Sequence, residues 1–151
     1  MARYYEDFEV GEIFESPRRT VTEADIALFA GLSGDYNPLH TDEEFARTTP
    51  FGSRIAHGLL ILSMVSGLNQ RLGLFEGTLL AFLGLEWSFK APVRPGDTIH
   101  FRMEVSGKRE TRHPDRGILV RRYQVFNQEG VLCQEGTMTV MMKRRPREEK
   151  A

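Results

Sequence analysis

The 151 residues, 40% hydrophobic and 27% charged with a formal net charge of -1, supply enough apolar material for one well-buried domain and too little chain for two. That balance gives no general attraction for nucleic acid or other polyanions, and the single cysteine, Cys133, excludes an intrachain disulfide. The first residues, "MARYYEDFEV", lack an apolar signal core, and the apolar stretches are broken by Gly, Ser, Asn and Arg well short of a membrane span, so a cytoplasmic protein without membrane contact is expected.

In chain order, a short strand is predicted from Phe8 to Phe14. "TEAD" then offers Thr22 as an N-cap with Asp25 three residues on, opening a helix that Gly31 can close. Thr41 and Glu44 form a second possible capping box, for a brief helix over "DEEFAR" that stops before "TTPFG". From Ile55 to about Leu72 the chain is apolar on nearly every face and ends at Gly73, the pattern of a helix buried all round. Something must wrap that helix, and the second half supplies it. "TLLAFLGLEWSF" reads as a mostly buried strand, and "TIHFRMEVS" alternates with Ile99, Phe101, Met103 and Val105 on one face. Two further strands, Ile118 to Phe126 and Val131 to Met142, flank "NQEG", a hairpin turn with Gly130 placed for a positive φ, and "PVRPGD" turns the chain before Thr98. The sum is an α+β domain over residues 1–143 in which an antiparallel sheet curls around one long central helix. Residues 144–151 form a charged tail, expected to be a solvated end.

The chemistry concentrates in "SGDYNPLH", Ser33 to His40. Gly34 frees the backbone before Asp35, and Pro38 fixes φ before His40, so the loop can hold one unusual shape that aims Asp35 and His40 at one point. Alone, Asp35 and Asn37 would read as ordinary turn residues bonding nearby N–H groups. The adjacent pair His57 and Gly58 changes the weighing, because it opens the long helix, where unpaired N–H groups and the positive end of the helix dipole are available. A base, an acid and an anion site then coexist.

The stretch "GLSGDYNPLHTDEEFARTTPFGSRIAHGLL" resembles the signature of the MaoC-like dehydratases, in particular their (R)-specific enoyl-CoA hydratase (hydratase 2) group, and "FKAPVRPGDTI" resembles the segment that follows in them. The resemblance implies the hot-dog fold, an antiparallel sheet around one long helix, and a homodimer open to further assembly. It implies Asp35 and His40 as the catalytic pair, Asn37 as an orienting residue, a backbone N–H near Gly58 as the oxyanion site, and Ser66 as a serine near the active site. Ser66 reads equally well as a small residue that allows close helix packing. His57 is expected to be structural, fixing the entry to the helix, and His100 and His113 receive no role.

The implied reaction adds water to a trans-2-enoyl thioester, or removes it from a 3-hydroxyacyl thioester. It needs a base for the attacking water, an acid for C2, and donors for the thioester oxygen. No metal or redox cofactor is called for, since coenzyme A enters with the acyl-CoA substrate. The long helix and "LLAFLGLEW" can line an apolar acyl slot, and Arg54, Lys90 and Arg94 are candidates to meet the coenzyme A phosphates. Three other readings compete. "HTD" with His57 downstream has the ligand types of a two-His, one-carboxylate iron site, but a long buried helix and about five strands do not suit a jelly-roll. A hot-dog acyl-CoA thioesterase would share the fold. A non-catalytic acyl-binding subunit would not need the acid-base pair.

Overall fold

The computed structural model describes residues 1–147; residues 148–151 of the predicted tail lie outside them. Two short strands, β1 (Ile13–Glu15) and β2 (Arg19–Thr20), lead into α1 (Glu23–Ser33). The small helices α2 (Pro38–Thr41) and α3 (Glu43–Arg47) and the long α4 (Gly58–Arg71) follow, and then four long strands, β3 (Leu79–Phe89), β4 (Thr98–Glu110), β5 (Arg116–Phe126) and β6 (Leu132–Lys143). The sheet is antiparallel with strand order β1-β4-β5-β6-β3, and β2 also pairs with β4. Six strands are present rather than about five, because the segment after Phe8 makes two short edge pairings. Phe8 itself packs in the core, stacked on Phe75 at 5.4 Å.

The sheet curls over one side of α4. Ile99, Phe101, Met103 and Val105 of β4 are fully buried, as their alternation predicts, and meet Leu60, Ile61, Met64, Val65 and Leu68 of α4 in a single core. Thr22 caps α1 with a reciprocal capping box to Asp25. The helix runs past Gly31 and ends at Gly34, which takes the left-handed conformation with φ 77°. The cap of α3 is Asp42, whose Oδ1 accepts from Phe45 N–H at 3.0 Å, while Thr41 closes α2. Gly130 takes the predicted positive φ.

Two burial expectations fail together. Only one side of α4 is covered, with Leu59 61% exposed on the other, and β3 is an edge strand whose Phe82 is 56% exposed rather than a mostly buried strand. Apolar sequence marks a surface that excludes water, and a single curled sheet has only one inner face to offer. The tail also starts less freely than expected. Arg144 bonds Glu6 and Glu110, and Arg145 bonds Asp7, so the first two tail residues are tied to the body of the domain.

Close backbone approach holds β3 on β6. A Cβ at Gly136 would lie 2.0 Å from the Glu86 carbonyl oxygen and 2.6 Å from the Trp87 ring. Gly136→Ala is therefore expected to lower the urea midpoint by the equivalent of about 1–3 kcal/mol, and an unchanged midpoint would show that the β3–β6 pair can open without cost.

Candidate active site

The loop after α1 is held by its own side chains. Ser33 Oγ accepts from Asp35 N–H at 3.1 Å, Asp35 Oδ1 accepts from Asn37 N–H at 3.2 Å, and Asn37 Oδ1 caps α2 by accepting from Leu39 N–H at 3.0 Å. Pro38 sits at the first position of α2, where its missing N–H is no loss. Each turn residue therefore sets the next, and His40 leaves α2 toward the segment before α4.

There His40 Nδ1 lies 2.7 Å from the Ile55 carbonyl oxygen. A carbonyl only accepts, so Nδ1 carries the proton of that bond and Nε2 holds the free lone pair of the neutral ring. The His57 ring stacks on His40 with centroids 3.9 Å apart and packs edge-on against Phe29. Its Nε2 donates to the Asp35 carbonyl oxygen at 2.9 Å. His57 is 2% exposed, and its Nδ1 is buried without a partner. Side-chain ligand atoms of Asp35, His40 and His57 all lie within 4.8 Å of one another. The structure thus brings Asp35 and His40 together from two different elements. It also gives His57 a defined contact, as the plate on which His40 rests and the clip on the Asp35 backbone.

The same three side chains form the cluster best placed to hold a cation. It is not the set considered from sequence, because Asp42 is spent on the α3 cap. One nitrogen of each imidazole is already engaged with a carbonyl oxygen.

Gly58 begins α4, with His57 at the cap position and no side-chain cap bond, so the first N–H groups of the helix have no acceptor within it. A Cβ at Gly58 would stand 2.7 Å from the Phe89 ring. Glycine leaves room for that ring, which is itself 56% exposed. The Gly58 carbonyl oxygen accepts from Gln134 Nε2 at 3.1 Å, and Gln134 Oε1 accepts from Trp87 Nε1–H at 2.8 Å. Gln134 is 2% exposed, and no local pattern in the sequence pointed to it. A cavity of about 400 Å³ opens beside Gly58, with Ile55, Phe89, Lys90 and Gln134 in its wall.

The remaining predicted residues are dispersed. Ser66 lies eight residues along α4 from Gly58, about 12 Å at 1.5 Å per residue, in a different cavity. Lys90 stands at the cavity beside Gly58, 47% exposed and 3.8 Å from Glu135. Arg94 Nη2 donates to the Phe51 carbonyl oxygen at 2.7 Å and so braces the loop before Ile55. Arg54 is committed elsewhere, with its guanidinium bonded to both oxygens of Glu23 on α1 and to Glu43 on α3 at 2.6–2.7 Å. These bonds raise the Arg54 pKa, and the Arg54 hydrogen bond holds the Glu43 carboxyl below its ordinary value.

A sheet curled over one long helix, with Asp35 and His40 brought close together beside the start of that helix, is the arrangement of a hot-dog domain. Residues 7–123 match the MaoC like domain family, and the chain belongs to that family. It is 44% identical over 105 residues to an (R)-specific enoyl-CoA hydratase of Rhodospirillum rubrum, covering 69% of this chain and 70% of that one. It is 38% identical over 138 residues to an (R)-specific enoyl-CoA hydratase of Aeromonas caviae, covering 91% and 97%. It is 40% identical over 104 residues to a 3-hydroxybutyryl-CoA dehydratase of Methylorubrum extorquens, covering 68% of this chain and 64% of that protein, so the match spans less than two thirds of the relative. Among solved structures, a MaoC-like dehydratase from Rhodospirillum rubrum superposes with a TM-score of 0.87 at 35% identity, covering 97% of this chain and all of that one. A Mycobacterium tuberculosis protein described as a double hot-dog fold superposes with a TM-score of 0.85 at 20% identity, covering 99% and 47%, which speaks to the fold.

The Arg54 clamp yields a pH prediction. A carboxyl whose folded pKa is depressed contributes stability that is present above its unfolded value and lost as the pH falls through the folded one. Arg54→Met should therefore melt at a lower temperature than wild type at pH 7. The gap should narrow below the ordinary glutamate value of 4.5 and close as Glu43 protonates in wild type. A gap independent of pH in thermal melts would remove the clamp from the account.

Proposed function

We propose that this chain is an (R)-specific enoyl-CoA hydratase that adds water across a trans-2-enoyl thioester to give the (3R)-3-hydroxyacyl thioester, and catalyses the reverse dehydration. The observation that carries this reading is the position of His40, its Nε2 unengaged and its ring close to the Asp35 carboxylate, beside the unpaired N–H groups at the start of α4. The names of the Rhodospirillum and Aeromonas relatives support it.

In the hydration direction His40 Nε2 takes a proton from water as the oxygen attacks C3, while Asp35 holds the same water. The electron pair displaced from the double bond moves to the thioester oxygen, where the Gly58 N–H and the helix dipole stabilise the developing charge. A proton returned from the Asp35 and His40 pair to C2 completes the addition. Asn37 keeps the loop in register, and His57 keeps the His40 ring aimed. No metal or redox cofactor enters these steps, and coenzyme A arrives as part of the substrate. Lys90, free on the side away from Glu135, is placed to meet coenzyme A phosphate at the cavity mouth, and Arg94 supports the same turn.

The working unit is a homodimer, and the protein acts in the cytoplasm. The exposed apolar side chains of the edge strand β3, with Leu59 exposed on α4, support the dimer, since monomers rarely expose such an edge. Among the described residues no helix is long and apolar enough to cross a membrane.

With crotonyl-CoA as substrate, wild type should remove the ultraviolet absorbance of the conjugated thioester without releasing free thiol. Asp35→Asn and His40→Ala should each lower kcat by roughly 100- to 10000-fold. Thiol release by wild type would instead identify a thioesterase, and full activity in either variant would remove that residue from the mechanism. In sedimentation equilibrium the wild-type protein should run as a dimer and Phe82→Glu should shift toward monomer; a monomeric wild type would overturn the assembly.

A further inference from the structure

A second cavity, of about 640 Å³, lies between the uncovered face of α4 and β3 and reaches Arg121 of β5. Its walls combine Leu62, Phe82, Leu85 and Met138 with the polar Ser66 and Asn69 and the acidic Glu76. Arg121 is 2% exposed, its Nε is buried without a partner, and its Nη1 reaches Asn69 Oδ1 at 3.4 Å, an acceptor shared with the Tyr123 hydroxyl at 2.9 Å. The rings of Phe75 and Tyr123 flank the guanidinium at 4.6 and 5.4 Å. Among the described residues no salt bridge includes it. A buried guanidinium without a counter-charge is costly, and burial pulls the Arg121 pKa down accordingly.

The cavity is in line with the active site. At 3.6 residues per turn, Gly58, Leu62, Ser66 and Asn69 fall within about 80° of one another on α4. Phe89 of β3 stands at Gly58, while Phe82 of the same strand lines the cavity. Gln134, bonded to the Gly58 carbonyl, and Met138, in the cavity wall, share one face of β6 roughly 13 Å apart. Two separate cavities, one at Gly58 and one reaching Arg121, therefore lie in line along one face of α4.

We propose that the two cavities join into one groove that holds the acyl chain of the substrate and that Arg121, with Asn69 beside it, binds a carboxylate at the far end of that chain. The substrate class is then a medium-chain enoyl thioester with an ω-carboxylate. A methyl-ended chain would cover the guanidinium with hydrocarbon and leave its donors unpaired, whereas a carboxylate satisfies both charge and donors. This inference rests on the hydratase reading, and the test separates the two.

The experiment compares kcat/KM for trans-2-decenoyl-CoA and its ω-carboxylated counterpart in wild type and Arg121→Met, with titration calorimetry of octanoate and 1-octanol on both proteins. Wild type should favour the ω-carboxylated thioester at least tenfold, on the order of what pairing a buried donor set contributes to specificity, and Arg121→Met should abolish the preference. Octanoate should bind wild type and not the variant, and 1-octanol should distinguish neither. Preference for the methyl-ended chain, or equal slowing of both thioesters in Arg121→Met, overturns the proposal. Arg121-dependent octanoate binding without discrimination between the thioesters assigns the carboxylate to a free acid and overturns the substrate class. A shift of Arg121→Met to monomer assigns Arg121 to the subunit interface and overturns it as well. If Arg121→Met does not fold, Asn69→Leu serves in its place, and retention of the preference there overturns the proposal. Failure of wild type to hydrate crotonyl-CoA while octanoate binding still depends on Arg121 rejects the hydratase reading and leaves the carboxylate site standing.

Discussion

The contact between the start of α4 and the end of β3 is the constraint on which the site depends. Gly58 lets the helix backbone come against the Phe89 ring, where a Cβ would stand at 2.7 Å, and Gln134 ties the Gly58 carbonyl to β6 from the other side. The helix N-terminus is therefore anchored to the sheet by its backbone, and its first N–H groups remain uncapped by any side chain. A donor array held in this way needs no reorganisation when charge develops in front of it, which is what electrostatic catalysis requires. The buried Trp87–Gln134 hydrogen bond keeps the anchoring amide in one orientation.

The loop that carries Asp35 and His40 depends on that anchor in turn. Ile55 and Ala56 run into α4 with their backbone groups committed, Ile55 to Leu39 and His40, and Ala56 to Val93. The His40 ring is thus clamped between a carbonyl on one edge and the His57 face on the other. The Asp35 backbone is fastened to the same His57. His57 has little contact with solvent, so in the proposed reaction its part would be positional. The Asp35 carboxylate gives Oδ1 to the Asn37 N–H, and the His40 ring gives Nδ1 to Ile55 and keeps Nε2 unengaged.

The chain leaves one side of its central helix uncovered, with Leu59 beside Ser63, Ser66 and Gln70, and one edge of its sheet apolar and exposed. The same surface carries the cavity that reaches Arg121, so the surface proposed for association and the pocket proposed for the acyl chain overlap at Phe82. Substrate length and end-group chemistry would then be read by residues of α4, β3 and β5 that lie outside the loop of Asp35 and His40. Changes in this groove can retune specificity while the acid-base geometry stays fixed.

Much of this was legible in the sequence because it depends on short-range rules. The Thr22 capping box, the strand alternation of Ile99 to Val105, the turn glycine Gly130 and the crowding of Asp35, Asn37 and His40 all act over a few residues, and each left a pattern. Element ends were less legible, since the choice between Gly31 and Gly34, or between Thr41 and Asp42, turns on which neighbouring backbone groups are free to bond. The long apolar segments showed that water is excluded from α4 and β3 but not by what, and both proved half-covered in one chain. The stacking of His57 on His40, the Gln134 anchor, the diversion of Arg54 to Glu23 and Glu43, and the unpaired burial of Arg121 join residues from well-separated elements. The sequence by itself determined which local structures form and which chemical groups the loop presents; only the tertiary structure decided which of those groups meet, because distances across a folded core are set by packing and not by spacing along the chain.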